Sequence, residues 1–273
     1  MKIGYLGPES SFTHQATKKV FQQALVTYAS IPACIKAVVT DEIDCAIVPV
    51  ENSLEGSVHA TIDTLSHSAK LQVRQEIVLP IKQQLLGTNA TITRILSHPQ
   101  ALAQSQNFLA TAYPEAVLVP MASTTAAAEY VQTHPQEPIA AIASQEAAIR
   151  YQLPILAADI QDNAVNQTRF WVITKKDYPM ESLPPATKMT LVLTMPSNQP
   201  GTLHKMLATF GWREINLSKI ESRPLKTNLG EYFFVIDLLL DQPSELIANA
   251  LTEIQLLGGA VTVLGKYSVT IFQ

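Results

Sequence analysis

Apolar and polar positions alternate between two rhythms along the first 175 residues. Short runs rich in Val and Ile, at 3–6, 46–50, 92–96, 117–119 and 139–143, read as buried strands. Between them the apolar positions take helical spacing. Phe12, Ala16, Val20 and Phe21 form one such stripe, and Ala101, Leu102, Ser105, Phe108 and Leu109 another. Stretches of about 10–15 residues between strands suit crossover helices. The pattern predicts an α/β architecture with parallel sheets.

The strand-to-helix steps share a chemistry. Gly7-Pro8-Glu9-Ser10, Ser97-His98-Pro99, Ser123-Thr124-Thr125 and Ser144-Gln145-Glu146 each bring a capping residue to a helix start. Such steps turn free N–H groups outward beyond the carboxyl edge of a sheet, where open α/β sheets bind ligands and where anions are favoured. Any α/β fold needs caps, so four of them raise the expectation of a small anionic ligand only modestly.

Residues 175–188, with three Pro and several charges, predict a linker and a domain boundary. Beyond it the rhythm changes. A strand at 189–195 precedes a helix at 203–210 behind Pro200-Gly201. Strands at 217–222 and 232–240 flank a turn-rich segment, 224–230. An amphipathic helix at 244–257 ends at Gly258-Gly259, and a last strand covers 260–267. The order βαββαβ predicts a ferredoxin-like sandwich.

Composition narrows the function. The chain has 273 residues, 47% of them hydrophobic and 15% charged. At this length folding buries roughly 73% of the unfolded surface, enough for a real core, and about two domains are expected. The net charge is −4 with no basic run, which argues against nucleic-acid binding. Cys34 and Cys45 make neither a disulfide framework nor a zinc site and are expected as buried thiols. The N-terminus reads as a strand broken at Gly7-Pro8, not a signal peptide. The longest apolar run, within 232–240, is interrupted by Asp237 and too short to span a bilayer. A soluble cytoplasmic protein that contacts neither nucleic acid nor membrane is expected. Phosphate-cradling glycine loops, HExxH and GxSxG do not occur, and the six His are scattered. No metal or cofactor is expected. Cofactor-independent chemistry on a small polar molecule remains, or plain ligand binding.

Three segments carry polar side chains at element ends. In 48–57 a strand runs into Glu51, Asn52, Ser53 and Glu55; spacing equally suits a ligand site or a strand end with Ser57 as an N-cap. In 160–173 a polar run precedes a strongly apolar strand that opens on Thr168 and Arg169. Spacing alone reads it as a turn and an edge strand with a surface Arg. Glu221-Ser222-Arg223-Pro224, with Pro200-Gly201-Thr202-Leu203, reads by itself as an edge-strand turn and a helix start.

Taken together, these segments resemble the monofunctional bacterial prephenate dehydratases over nearly the whole chain. The resemblance rests on Gly4-Tyr5-Leu6-Gly7-Pro8, residues 48–57, Ser97-His98-Pro99-Gln100-Ala101-Leu102, Ser123-Thr124 and Thr168-Arg169-Phe170. The C-terminal part resembles an ACT regulatory domain through Glu221-Ser222-Arg223-Pro224. The resemblance implies two periplasmic-binding-protein-like lobes around a cleft, then the ACT domain. It places a catalytic domain at 1–178, with lobe one at about 1–77 plus 170–176 and lobe two at about 80–165, and the ACT domain at 188–273. Segments 77–86 and 163–169 would cross between the lobes, with Thr168 at the hinge.

The same resemblance implies the reaction of prephenate to phenylpyruvate, water and CO2 in L-phenylalanine biosynthesis, without a cofactor. Thr168 is then the hydrogen-bond donor to the departing hydroxyl. Arg169 either clamps a carboxylate or braces the loop, and Phe170, core rather than catalytic, is a substrate contact at the cleft wall. Asn52 and Ser53 face Ser123 and Thr124 across the cleft as substrate contacts. L-phenylalanine is implied as feedback effector, bound where ACT domains pair into a dimer or tetramer. Its contacts would be Gly201, Thr202, Leu203, Glu221, Ser222, Arg223 and Pro224. The family's Gly-Ala-Leu-Val pattern reads Gly201-Thr202-Leu203-His204 here, which alters the pocket's polarity. Ser10 stands where the family often has Gly. Two rivals stay open: arogenate as the substrate, and a binding protein without turnover.

Overall fold

The computed structural model describes the chain except residues 67, 69, 180–182, 198 and 226–231. Part of the expected 175–188 linker and most of the 224–230 turn therefore lie outside the described residues. In chain order the first elements are β1 (Ile3–Leu6), α1 (Phe12–Val20), β2 (Leu25–Tyr28), α2 (Ile31–Val39), β3 (Cys45–Asn52), β4 (Gly56–Ser57), α3 (His59–Ser66) and β5 (Leu71–Pro80). Then come β6 (Gln84–Gly87), β7 (Arg94–Ser97), α4 (Pro99–Ala103), α5 (Gln106–Ala112), β8 (Val117–Pro120), α6 (Thr124–Thr133), β9 (Ile139–Ala143), α7 (Gln145–Tyr151), β10 (Ile155–Ala157) and β11 (Gln167–Lys175). The C-terminal elements are β12 (Lys188–Thr194), α8 (Thr202–Gly211), β13 (Leu217–Pro224), β14 (Tyr232–Leu239), α9 (Ser244–Leu256) and β15 (Ala260–Ile271). They gather into two compact units. One holds Met1–Thr61, Ile77–Phe170 and Ile271–Gln273; the other holds Ile62–Glu76 and Trp171–Thr270.

The first unit contains two sheets. In one, β1 lies parallel between β2 and β3, with Ile3 opposite both Leu25 and Cys45. The strand after β3 is β11, so the segment opening on Thr168 and Arg169 is an interior strand, not the edge strand its spacing suggested. The other sheet runs β10-β6-β9-β7-β8. Here β9 shows why an unbroken apolar run is a sandwiched strand. Ile139, Ala141 and Ala143 pack against α6 and α7, while Ala140 and Ile142 pack with Leu102 and Leu109 on the opposite face.

The expectation of wholly parallel sheets needs correcting. β7 is parallel to β8 and β9, but β6 pairs antiparallel with β9 and β10. No helix precedes β6, so no crossover forces it parallel. Ser57 is not an N-cap either. It sits in β4, paired with Glu51 of β3 in a short hairpin.

The second unit carries the expected order β12-α8-β13-β14-α9-β15, with strands in the sheet order β13-β14-β12-β15. Met189, Leu191 and Leu193 alternate inward and meet Met206 and Phe210 of α8 and Ile247 and Ile254 of α9. Asp237, which interrupted the apolar run, is buried within β14. The Thr190 hydroxyl donates to its carboxylate at 2.6 Å and lies 2.6 Å from the Tyr267 hydroxyl, so the charge has polar partners. β15 extends beyond the expected 260–267. At Gly265 it passes so close to β5 that a side-chain carbon would collide with the Val73 carbonyl.

No helix among the described residues is long and apolar enough to cross a membrane. Cys34 and Cys45 are buried and reduced, and burial pushes both thiols up to about 12, so neither is a nucleophile.

Candidate active site

A cavity of about 320 Å³ opens within the first unit, between its two sheets, at the carboxyl ends of β1, β3 and β7. That is where strand ends release the chain into loops and helix starts. Asn52, Ser123, Thr124, Thr168 and Phe170 all line it, so five of the expected substrate and catalytic residues come together. Gly7, Ser11, Thr13, Gln83, His98, Gln100 and Gln104 line it too and were not named as site residues. The capping steps at 7–10 and 97–99 signalled several of them. Gln83 and Gln104 gave no sequence signal, because their placement depends on how distant segments cross.

The Asn52–Thr168 pair organises the cavity floor. Asn52 Oδ1 accepts from the N–H groups of Leu54 and Glu55, at 3.0 and 3.1 Å. This fixes which end of the amide faces β11. Its Nδ2 then donates to Thr168 Oγ1 at 2.9 Å and to Asn166 Oδ1 at 2.8 Å. Asn166 Nδ2 donates onward to Gln104 Oε1 at 3.0 Å. With Thr168 Oγ1 acting as acceptor toward Asn52, its own proton finds no acceptor among the described residues. That proton is available to a ligand.

The lining contains no Lys, Arg, Asp or Glu among the described residues. Anion stabilisation must therefore come from N–H and hydroxyl donors. The first-turn N–H groups of Phe12 and Thr13 in α1, and of Thr124 and Thr125 in α6, have no acceptor among the described residues. Ser11 and Ser123 cap these helices through His14 N and Ala126 N. Two helix N-termini facing one cavity supply partial positive charge without a cation.

Arg169 points elsewhere. Successive side chains of a strand alternate, so Thr168 and Phe170 face the cavity and Arg169 does not line it. Its guanidinium pairs with Glu51 of β3, a brace between neighbouring strands. Ser53 also lies outside the lining. Its hydroxyl donates to Val165 O at 3.1 Å and accepts from Gln167 N at 3.0 Å, clamping the loop that leads into β11.

The loop 7–11 is held by a histidine. Ser10 has φ 68°, a left-handed conformation that glycine adopts freely. Here the Ser10 N–H donates to His14 Nδ1 at 3.0 Å and its carbonyl accepts from Ser144 Oγ at 3.0 Å. Burial holds the His14 pKa below its ordinary value of 6.5, with Lys18 and Arg150 acting in the same sense and Glu9 and Glu146 opposing. The neutral form is thus favoured on folding. This stabilisation is complete above about pH 6.5 and is lost as pH falls through the folded-state value. Thermal unfolding followed from pH 7.5 to 5.5 is expected to show a decline in Tm that is smaller in His14→Gln; equal slopes would remove His14 from the acid response.

In the second unit, Gly201 opens α8 with φ 81°, followed by Thr202 and Leu203. Glu221, Ser222, Arg223 and Pro224 close β13 opposite Val235 to Tyr232 of β14. Arg223 Nη2 pairs with Asp63 of α3 at 3.0 Å, and Lys219 with Glu221 at 3.3 Å.

Comparison with known proteins shows the family. The family model described as prephenate dehydratase matches residues 3–178. The prephenate dehydratase of Lactococcus lactis subsp. lactis (strain IL1403) is 47% identical, over 98% of both chains. That of Bacillus subtilis (strain 168) is 44% identical, again over 98% of both. The crystal structure of prephenate dehydratase in complex with L-Phe from Arthrobacter aurescens superimposes with TM-score 0.87 at 32% identity, covering 98% of this chain and 90% of that one. The cavity with Thr168 at its floor thus lies in a chain that belongs to the prephenate dehydratase family.

Proposed function

We propose that this chain converts prephenate to phenylpyruvate, water and CO2 in L-phenylalanine biosynthesis, and that L-phenylalanine restrains it through the C-terminal βαββαβ segment. The observation that carries the catalytic reading is the Thr168 hydroxyl, held by Asn52 with its proton left for a ligand in a cavity lined by no Lys, Arg, Asp or Glu among the described residues. Loss of the ring carboxylate as CO2 sends its bonding pair into the ring, the ring becomes aromatic, and the C–O bond to the ring hydroxyl breaks. Thr168 donates a hydrogen bond to the leaving oxygen. A threonine hydroxyl is too weak an acid to be matched to neutral pH, so it stabilises the developing charge while the departing hydroxide takes its proton from solvent to become water. The N-termini of α1 and α6 suit the substrate's two carboxylates. Arg169 acts as a positioning residue that braces β11, and Ser53 holds the adjoining loop.

In this reading residues 1–178 form the catalytic domain, with lobes at about 1–77 plus 170–176 and about 80–165, and residues 188–273 form the ACT domain. L-phenylalanine binds at Gly201, Thr202 and Leu203 and at Glu221, Ser222, Arg223 and Pro224, where two ACT domains pair. A family member from Arthrobacter aurescens has been crystallised with L-Phe, which supports the choice of effector. The chain is cytoplasmic and self-associates as a dimer or tetramer. Inhibition requires that L-phenylalanine bind two states of the enzyme with different affinity. The test follows phenylpyruvate by its ultraviolet absorbance with and without L-phenylalanine. Formation from prephenate, slowed by the amino acid, is the expected result. Unaltered prephenate would end the catalytic reading, and turnover indifferent to L-phenylalanine the regulatory one.

A further inference from the structure

Two adjacent glutamines, Gln83 and Gln84, are both buried but differ in what their side chains meet. Gln84 is fully partnered: its Nε2 donates to Asp159 Oδ1 at 2.9 Å and its Oε1 accepts from Asp159 N at 3.0 Å. It ties β6 to the approach of β11. Gln83 is 2% exposed, yet its Oε1 is buried with no hydrogen-bond partner among the described residues. Its backbone leaves it no freedom to escape. Gln83 N donates to Gln161 Oε1 at 2.8 Å, and its carbonyl accepts from Ile160 N at 2.9 Å. Of the described buried side chains that keep an unpaired polar atom, Gln83 is the one that also lines the cavity beside Thr168 and Asn52.

A buried amide left unsatisfied destabilises a fold, and a methionine of the same length would not. Its presence is explained if the missing partner arrives with the ligand. We propose that Gln83 is a substrate-binding residue whose side-chain carbonyl accepts a hydrogen bond from the substrate's ring hydroxyl. This rests on the prephenate dehydratase reading of the cavity and deepens it. The unpaired Oε1 is an acceptor, and the hydroxyl is the group of prephenate that can donate to it, while Thr168 donates to the same hydroxyl oxygen. The cost to the empty protein is recovered in the complex, the pattern expected of a binding site rather than of a core position.

The test is Gln83→Met beside Gln84→Met, each measured for turnover of prephenate and for Tm without ligand. Gln83→Met is expected to lose about 10- to 100-fold in kcat/KM while its Tm stays level or rises. Gln84→Met, which strips a satisfied pair, is expected to lower Tm. Wild-type kcat/KM in Gln83→Met overturns the assignment. So does a Gln83→Met protein that melts several degrees lower or fails to fold, since the amide would then be structural. Wild-type protein that leaves prephenate unchanged overturns the functional reading itself and the assignment with it.

Discussion

Thr168→Ala is expected to lower kcat by roughly 10²–10³-fold, the loss typical of removing one preorganised donor to developing charge. KM should change far less, because the bond is made most strongly as the C–O bond breaks. Thr168 is 9% exposed and makes its described side-chain hydrogen bond to Asn52, so the substitution leaves the fold intact. Thr168→Ser keeps the hydroxyl and should stay within about tenfold of wild type, with some loss from its freer rotamers. Steady-state kinetics on both variants check this. A Thr168→Ala enzyme with full kcat would remove the residue from the chemistry.

The second large effect belongs to Asn52→Ala. Asn52 anchors the turn after β3 by accepting from Leu54 and Glu55, and it orients Thr168 through Nδ2. Deleting it should destabilise the protein by on the order of 1–2 kcal/mol through the unpaired groups left behind. It should also lower kcat by about 10- to 100-fold, because the Thr168 hydroxyl is then free to turn toward Asn166 or the backbone. Denaturant unfolding and kinetics separate the two effects. Lost stability with unchanged kcat would make Asn52 a structural residue only.

Much of this was legible in the chain itself. The strand at 139–143 matches β9, and the six C-terminal elements fall within a few residues of their expected bounds, because their apolar periods are regular and their ends are marked by Pro and Gly. The Ser123 and Ser144 caps were equally plain. β2 and β10 were missed: each is three or four residues long, so no period develops, and the expected crossing segment 77–86 divides into the end of β5 and the start of β6. The site was half legible. Asn52 and Thr168 could be named from the family resemblance, but that Asn52 donates to Thr168 across 116 positions depends on β3 and β11 lying side by side. Arg169 shows the limit most clearly. A planar cation beside Thr168 suggests a carboxylate clamp, yet strand alternation turns it to Glu51.

The central claim is that Asn52 serves catalysis through the hydroxyl of Thr168, and a double-mutant cycle in kcat on Asn52→Ala and Thr168→Ala tests it most directly. If one residue acts through the other, the double variant will be no slower than Thr168→Ala alone, within about twofold. Losses that multiply, each substitution slowing the enzyme by its full factor whatever stands at the other position, would contradict it.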